Sequence, residues 1–253
     1  MAGQSLLDII WQVHQDPGGG HESELIGVEL GFEEGQHLQT QVLARCLDNG
    51  AALSGWKLGM TSGASRNAMG DGVRPFGFVL ADRIVQSGST LAIQNLHRGQ
   101  IENELCFLMG HSLKGEVTRA DAIAAVAGVV PAFEVNQKRL RGEVSAGVRV
   151  ADNLSNWGIV VGAPTLPKDE LSDMTVTLSS KDDRVIEAIH SPGHIDDHFD
   201  TLATLARRLD AFGHELNAGQ YVITGAYGKT PFAPGTYTGH FDCGVGDVTI
   251  SLV

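Results

Sequence analysis

Glu102 and Glu104 stand one residue apart in Gln100-Ile-Glu-Asn-Glu-Leu-Cys-Phe-Leu-Met109. Ile101, Leu105 and Phe107 alternate with them as along a strand, where residues i and i+2 face the same way. Both carboxylates therefore point into one space, in company with Cys106 and Leu108. Two like charges about 7 Å apart on a strand with an apolar opposite face repel each other and resist desolvation. A third acid, Glu134, interrupts a second apolar run, Gly128-Val-Val-Pro-Ala-Phe-Glu-Val135. On solvent-facing strands such acids would be ordinary solvated charge. Two apolar strands with unexplained carboxylates point instead to a hard cation. Oxygen-only ligands favour Mg²⁺, Mn²⁺ or Ca²⁺ over zinc, and an open octahedral site favours Mg²⁺ or Mn²⁺.

Lys57 lies between Trp56 and Leu58 in a glycine-flanked apolar strand. It either snorkels from an edge or meets an anion there. Thr224-Gly225 ends an apolar run before a Gly/Pro-rich stretch, where a hydroxyl and backbone amides could hold a substrate carboxylate or simply form a tight turn. Asp152-Asn153 reads as a turn. His190, His194 and His198 have i, i+4, i+8 spacing, which on a helix could bind zinc. Pro192-Gly193 breaks any such helix, so surface or capping histidines are expected. No nucleophile elbow, phosphate loop or dinucleotide fingerprint is present.

These residues must be positioned by the elements around them. A helix is expected from Ser5-Leu-Leu-Asp8, a capping-box-like start, with Leu6, Ile9, Ile10 and Val13 on one stripe. A second is expected over Leu38 to Asp48, stopped by Asn49-Gly50. Beyond Trp56 the pattern becomes short strands divided by glycine: Gly55 to Gly59, Phe76 to Leu80 and Ile101 to Met109. Thr118-Arg-Ala-Asp121 opens a short alanine-rich helix leading into the strand of Glu134, and Asn156 to Val161 forms another strand. Met174 to Ser179 and Arg184 to Ala188 pair as a hairpin around Lys181-Asp-Asp183. Asp197 to Phe212 is a helix with Phe199, Leu202, Leu205 and Leu209 on one side. Strands are expected at Gln220 to Gly225 and from Asp247 onward, with a Gly/Pro loop between. The architecture expected is α+β: a small helical N-terminal lobe over 1–54 and a mixed β-rich catalytic domain over 55–253.

Composition narrows the function. At 253 residues, 42 % hydrophobic and 19 % charged, the chain can bury a full core. A net charge of −12 leaves no basic stripe for nucleic-acid phosphates. No apolar run is long enough to span a bilayer, and the N-terminus lacks a basic leader region. The scattered Cys46, Cys106 and Cys243 suit a reducing cytoplasm.

Taken together, Gly55-Trp-Lys-Leu-Gly-Met-Thr-Ser62, Ile101-Glu-Asn-Glu-Leu-Cys-Phe107, Pro131-Ala-Phe-Glu-Val135, Val150-Ala-Asp-Asn153 and Ala218-Gly-Gln-Tyr-Val-Ile-Thr-Gly225 resemble one family. It is the 2-keto-4-pentenoate hydratase and 4-oxalocrotonate decarboxylase branch of the fumarylacetoacetate hydrolase superfamily. The resemblance covers most of the chain. It implies a mixed, rolled β-sheet and a homo-oligomer, with a complex with a pathway enzyme also open. It places Glu102, Glu104 and Glu134 on the family's Mg²⁺ or Mn²⁺ ligands and Lys57 on its active-site lysine. Thr224, Gly225 and Asn153 fall at substrate-binding positions.

The implied substrate is a small 2-oxo or 2-hydroxydienoic acid. Its carboxylate and keto oxygens chelate the metal, which stabilises an enolate. A hydratase then adds water to the conjugated enone, whereas a decarboxylase loses a distal carboxylate into the same electron sink. A non-catalytic homologue that partners a related enzyme is a third reading. One departure matters. Where many hydratases carry Pro-Asp-Phe-Gly, this chain has Val73-Arg-Pro-Phe-Gly77, without the acid assigned to proton transfer. Asp82 is the nearby acid that stands as substitute base.

Overall fold

The computed structural model describes residues 5–166, 170–182 and 184–253. The chain forms helices α1 (Leu6–Gln15), α2 (Phe32–Asp48), α3 (Arg119–Ala125), α4 (Ala146–Ala151) and α5 (His198–Ala211). Its strands are β1 (Leu53–Leu58), β2 (Phe76–Leu80), β3 (Ile84–Gln86), β4 (Thr90–Leu91), β5 (Gly99–Met109), β6 (Val126–Gln137) and β7 (Asn156–Val161). They continue with β8 (Thr175–Ser180), β9 (Val185–His190), β10 (Tyr221–Pro231), β11 (Gly235–Phe241) and β12 (Gly246–Leu252).

Two mixed sheets result, a seven-stranded one ordered β2-β1-β10-β5-β6-β7-β3 and a five-stranded one ordered β4-β12-β11-β8-β9. In the larger sheet β1 and β10 run parallel, as do β3 and β7, and the remaining pairs are antiparallel. The sheet curls until β2 lies against β7. Strand alternation then gives each long strand an inner and an outer face. Ile101, Leu105 and Phe107 point outward into the main core, shared with the helices and the smaller sheet. Val79, Cys106, Val130, Ala132, Ile159, Val161 and Ile223 fill the inside of the roll. Register carries that inner face to one end, because Glu104 pairs with Ala132 and Glu102 with Glu134. Rolled mixed β-structure with helices at the N-terminal end is what the sequence leads one to expect.

Local chemistry explains the element starts. Ser5 accepts from the Asp8 N–H at the head of α1, and Thr118 and Asp121 form the reciprocal box that opens α3. Helix α2 begins at Phe32 rather than at Leu38, with the Glu34 carboxylate reaching back to the Gly31 N–H at 2.9 Å. Its first turns escape periodicity because core-facing positions are polar. Gln39 Nε2 donates to the carbonyls of Phe76 and Val150 at 2.7 and 3.0 Å, and Gln36 Oε1 accepts from Phe76 N–H at 3.1 Å. These buried amides satisfy the free edge of β2, so they do structural work that a hydrophobic pattern cannot display.

Two more expectations change. The chain from Thr224 onward does not turn into a loop. Strand β10 continues to Pro231 through register shifts after Ile223 and Ala226, so the Gly/Pro-rich stretch stays paired to β5. Strands β3, β4 and β11 and helix α4 occupy stretches read as connections. The β8–β9 hairpin forms, although Asp183 in its turn lies outside the described residues. Among the described residues no helix is long and apolar enough to cross a membrane.

Candidate metal centre

One oxygen from each of Glu102, Glu104 and Glu134 lies within 4.8 Å of the others. Opposite corners of a Mg²⁺ or Mn²⁺ octahedron are separated by about 4 Å, so little movement separates these oxygens from a shared coordination sphere. The convergence follows from the pairing of β5 with β6, which sets Glu102 directly across from Glu134 with Glu104 one pleat further along.

The protein holds the second oxygen of each carboxylate. Glu134 Oε1 accepts from Lys57 Nζ and, at 2.7 Å, from Asn156 Nδ2. Glu104 Oε2 accepts from the Gly225 N–H at 2.6 Å, and Glu102 Oε1 from Gln100 Nε2. Among the described residues nothing donates to Glu102 Oε2, Glu104 Oε1 or Glu134 Oε2, so each carboxylate keeps one oxygen for a ligand.

Burial, then the neighbouring Glu134, raises Glu102 above the usual carboxylate range and raises Glu104 well above it. Burial opposes the charge on Lys57, but Glu134 and Glu104 outweigh it and hold the ammonium above its ordinary range. Three carboxylates and one ammonium leave two negative charges in a buried place, which one divalent cation would neutralise. The donor set therefore fits a hard divalent metal.

Lys57 does not snorkel. It is 7 % exposed on β1, next to the roll's edge strand. Gly77 on β2 pairs with it and leaves room for its stem, since a Cβ there would sit 2.8 Å from Lys57 Cγ. Gly225 has φ +134°, and a Cβ on it would meet Thr61 Oγ1 at 2.3 Å, so only glycine presents this N–H to Glu104.

These groups line an open cavity of about 470 Å³. Its other walls include Met60 to Ser65, Leu154 and Ser155, His194 and Tyr227. Asn153, Leu154 and Ser155 have φ of 54°, 51° and 62°, a left-handed run of non-glycine residues beside the site. Asn153 pins that run: its Oδ1 accepts from Phe78 N–H at 2.8 Å and its Nδ2 donates to Phe78 O at 3.0 Å.

Several candidate residues therefore stand elsewhere than the sequence suggests. The Asn153 side chain is consumed by β2 and lines a separate cavity of about 350 Å³, so it supports the wall and does not face the carboxylates. The Thr224 hydroxyl turns into the core, 2.8 Å from His198 Nδ1 and 3.3 Å from Leu105 O, while Gly225 does face the cavity. Asp82 lies in a short 3₁₀ turn, exposed and 3.4 Å from Arg83, and is not part of the cavity wall. It is too far out in solvent to act as the base.

The histidines also separate. His190 is exposed beside Asp173, and His194 sits on the cavity wall with Nε2 3.1 Å from Ala226 O. His198 is neither surface nor capping. It is buried, with Nε2 2.8 Å from Tyr227 Oη, and burial pushes it down to about 4.

Asn136, Lys138, Arg149, Glu187 and Lys229 also stand on the cavity wall, beyond the residues that motif and charge pattern single out. The same alternation that joins Glu102 to Glu104 runs from Glu134 through Asn136 to Lys138 and was there to be followed. Arg149 immediately precedes the Val150-Ala-Asp-Asn153 motif, but it sits on α4, which has no strong apolar pattern.

No family model matches the chain. A 4-oxalocrotonate decarboxylase from a Pseudomonas species is 32 % identical over 194 residues, 76 % of this chain and 75 % of its own. A 2-keto-4-pentenoate hydratase from Paraburkholderia phymatum is 32 % identical over 210 residues, 81 % of this chain and 79 % of its own. Among solved structures, 4-oxalocrotonate decarboxylase from Pseudomonas putida G7, complexed with magnesium and adipate, superposes with a TM-score of 0.86. That likeness covers 99 % of this chain and 100 % of the other at 23 % identity, and it shows the shared fold.

Proposed function

The chain belongs to the family of 2-keto-4-pentenoate hydratases and 4-oxalocrotonate decarboxylases, and from that premise we propose that it is a Mg²⁺- or Mn²⁺-dependent lyase of 2-oxo or 2-hydroxydienoic acids. The observation that carries this reading is the meeting of Glu102, Glu104 and Glu134 with Lys57 in one open cavity. A divalent cation bound there supplies electrostatic stabilisation for charge developing on the oxygen of a 2-oxo acid, typically worth several kcal/mol. Glu102, Glu104 and Glu134 would hold it.

The remaining work falls to the chain's own groups. Lys57 and Asn156 orient the Glu134 carboxylate, and the Gly225 N–H does the same for Glu104. The Lys57 ammonium also sits where an anionic substrate oxygen arrives. His194, on the cavity wall, donates through Nε2 to Ala226 O, a bond that fixes the orientation of its ring beside the substrate. The small residues Ser62, Gly63 and Ala64 leave space for the substrate chain.

Hydration of a 2-hydroxy-2,4-dienoate is the primary reading. Decarboxylation of a 2-oxo-3-hexenedioate is the second, favoured by the lack of an acid before Phe76 and by the exposed position of Asp82. Carbon dioxide loss generates the enolate without removing a proton from carbon, so it has less need of that base.

Metal-loaded enzyme is offered 2-hydroxypenta-2,4-dienoate and 2-oxo-3-hexenedioate in parallel, following enol absorbance and released CO₂. Consumption of the first without CO₂ supports the hydratase, and CO₂ from the second supports the decarboxylase. Metal binding with no turnover of either would sink both and leave the partner-protein reading.

A further inference from the structure

Part of the carboxylate cavity's wall is backbone held in a shape it does not favour. Asn153, Leu154 and Ser155 all have positive φ, and Leu154 and Ser155 line the cavity. None of them is glycine, so the surroundings must impose this conformation against a steric cost. The run hangs between Asp152, which caps α4, and Asn156, which opens β7.

One side chain joins both ends. Arg139 lies just beyond β6, the strand of Glu134, and is 3 % exposed. Its Nε donates to Asp152 Oδ1 at 2.7 Å, and its Nη2 donates to the Asp152 carbonyl at 2.7 Å. Both Nη atoms also donate to the Asn156 carbonyl at 3.2 Å. Asp152 is itself buried, and His14 of α1 stands 3.3 Å from the same carboxylate oxygen. A buried ion pair is a weak source of net stability, because both charges lose their water. A planar fork that reaches a carboxylate and two carbonyls instead fixes direction and distance.

We propose that Arg139 is a positioning residue for the reaction: its guanidinium clamps the 152–156 run in its left-handed shape and so holds Leu154 and Ser155 against the substrate. This rests on the reading of the cavity as a 2-oxo acid site. Arg139 follows directly on the strand of Glu134, so the clamp ties the substrate wall to a metal ligand's own strand. Once released, the run relaxes toward ordinary backbone angles, and only the fraction of molecules with the wall in place binds well. The carboxylates depend on the clamp less. Asn156 is also paired to Asn136 of β6, so its side chain stays on Glu134 without the arginine.

The test titrates Mg²⁺, and then 2-oxopentanoate as an unreactive probe, calorimetrically into the parent and Arg139→Lys. Lysine keeps the charge beside Asp152 and loses the fork. Probe affinity should fall by about tenfold or more while Mg²⁺ affinity is kept, a split that general loosening does not give. Arg139→Ala should behave alike and regain probe affinity in millimolar guanidinium chloride, since Arg139 lines the second cavity of about 350 Å³, which admits that ion. Sodium chloride should not replace it. Arg83→Met, on the wall of the same second cavity but with its cation over the Trp157 ring, should bind as the parent does. Unchanged probe affinity in folded Arg139→Lys overturns the clamp. Equal loss of Mg²⁺ and probe, or no rescue of folded Arg139→Ala by guanidinium, reduces Arg139 to a scaffold and overturns its positioning role. If Arg139→Ala does not fold, the lysine variant decides alone. If the parent binds Mg²⁺ but no probe, the 2-oxo acid reading fails and the clamp's role falls with it.

Discussion

Lys57 and Glu104 touch the same cluster but should fail in different ways when changed. Glu104→Gln removes one of three anionic oxygens and places an amide against the Gly225 N–H, so calorimetric Mg²⁺ binding should be lost together with activity. Lys57→Met removes the positive charge beside Glu134, and the site becomes more negative. Metal should bind at least as tightly, while turnover falls by about a hundredfold or more, the scale set by loss of one pre-placed charged donor. Loss of Mg²⁺ binding in Lys57→Met would reduce the lysine to a scaffold for the ligands. At this scale the sequence is most legible where side-chain direction follows from alternation, as for Glu102, Glu104 and Glu134. It is least legible where a polar side chain can serve either backbone or cavity. Asn153 and Thr224 both turn to protein partners, and no pattern of neighbours reveals that direction. Asp82 failed for the opposite reason, since closeness in sequence to β2 places it beyond the strand's end, in solvent.

Helices and strands were readable wherever one face is apolar, as in α5 and β5, and unreadable where buried amides replace apolar contacts, as in the first turns of α2. The head of α5 adds a pH dependence to this element packing. His198 is its first residue, buried and wedged between Thr224 Oγ1 and Tyr227 Oη, and burial holds it at about 4 against 6.5 in an open chain. Folded protein keeps the ring neutral and the unfolded chain binds the proton more readily. The stability it permits is therefore intact above pH 6.5, declines as pH falls, and is lost below about 4. The shift corresponds to about 3 kcal/mol. Raised Glu102 and Glu104 act with the opposite sign, so the comparison must be between variant and parent. Denaturant unfolding between pH 7 and 4.5 should show a shallower pH slope in His198→Gln than in the parent. Equal slopes would mean that His198 accepts its proton without loss of packing.

At the scale of the whole molecule, the site draws on strands that are far apart in the chain. Lys57 comes from β1, Glu102 and Glu104 from β5, Glu134 from β6 and Gly225 from β10, and all four strands are neighbours in the rolled sheet. Without a cation, the crowded carboxylates repel one another at the end of the roll and oppose the pairing of these strands. A cation that binds the folded cluster and ignores the unfolded chain must stabilise the entire sheet by mass action. At a free Mg²⁺ concentration a hundred times its dissociation constant, the gain is about 2.7 kcal/mol. For a chain of this length that is a rise in melting temperature of roughly 5–10 °C. Thermal unfolding followed by far-UV circular dichroism, with Mg²⁺ and then with a chelator, should show this rise and its reversal. The same titration on Glu104→Gln should be flat, although that variant starts with one less repelling charge and its metal-free melting point should be no lower than the parent's. A rise of equal size in the variant would place the stabilising cation away from Glu104, and the strands of the roll would then be held together without the help of this cluster.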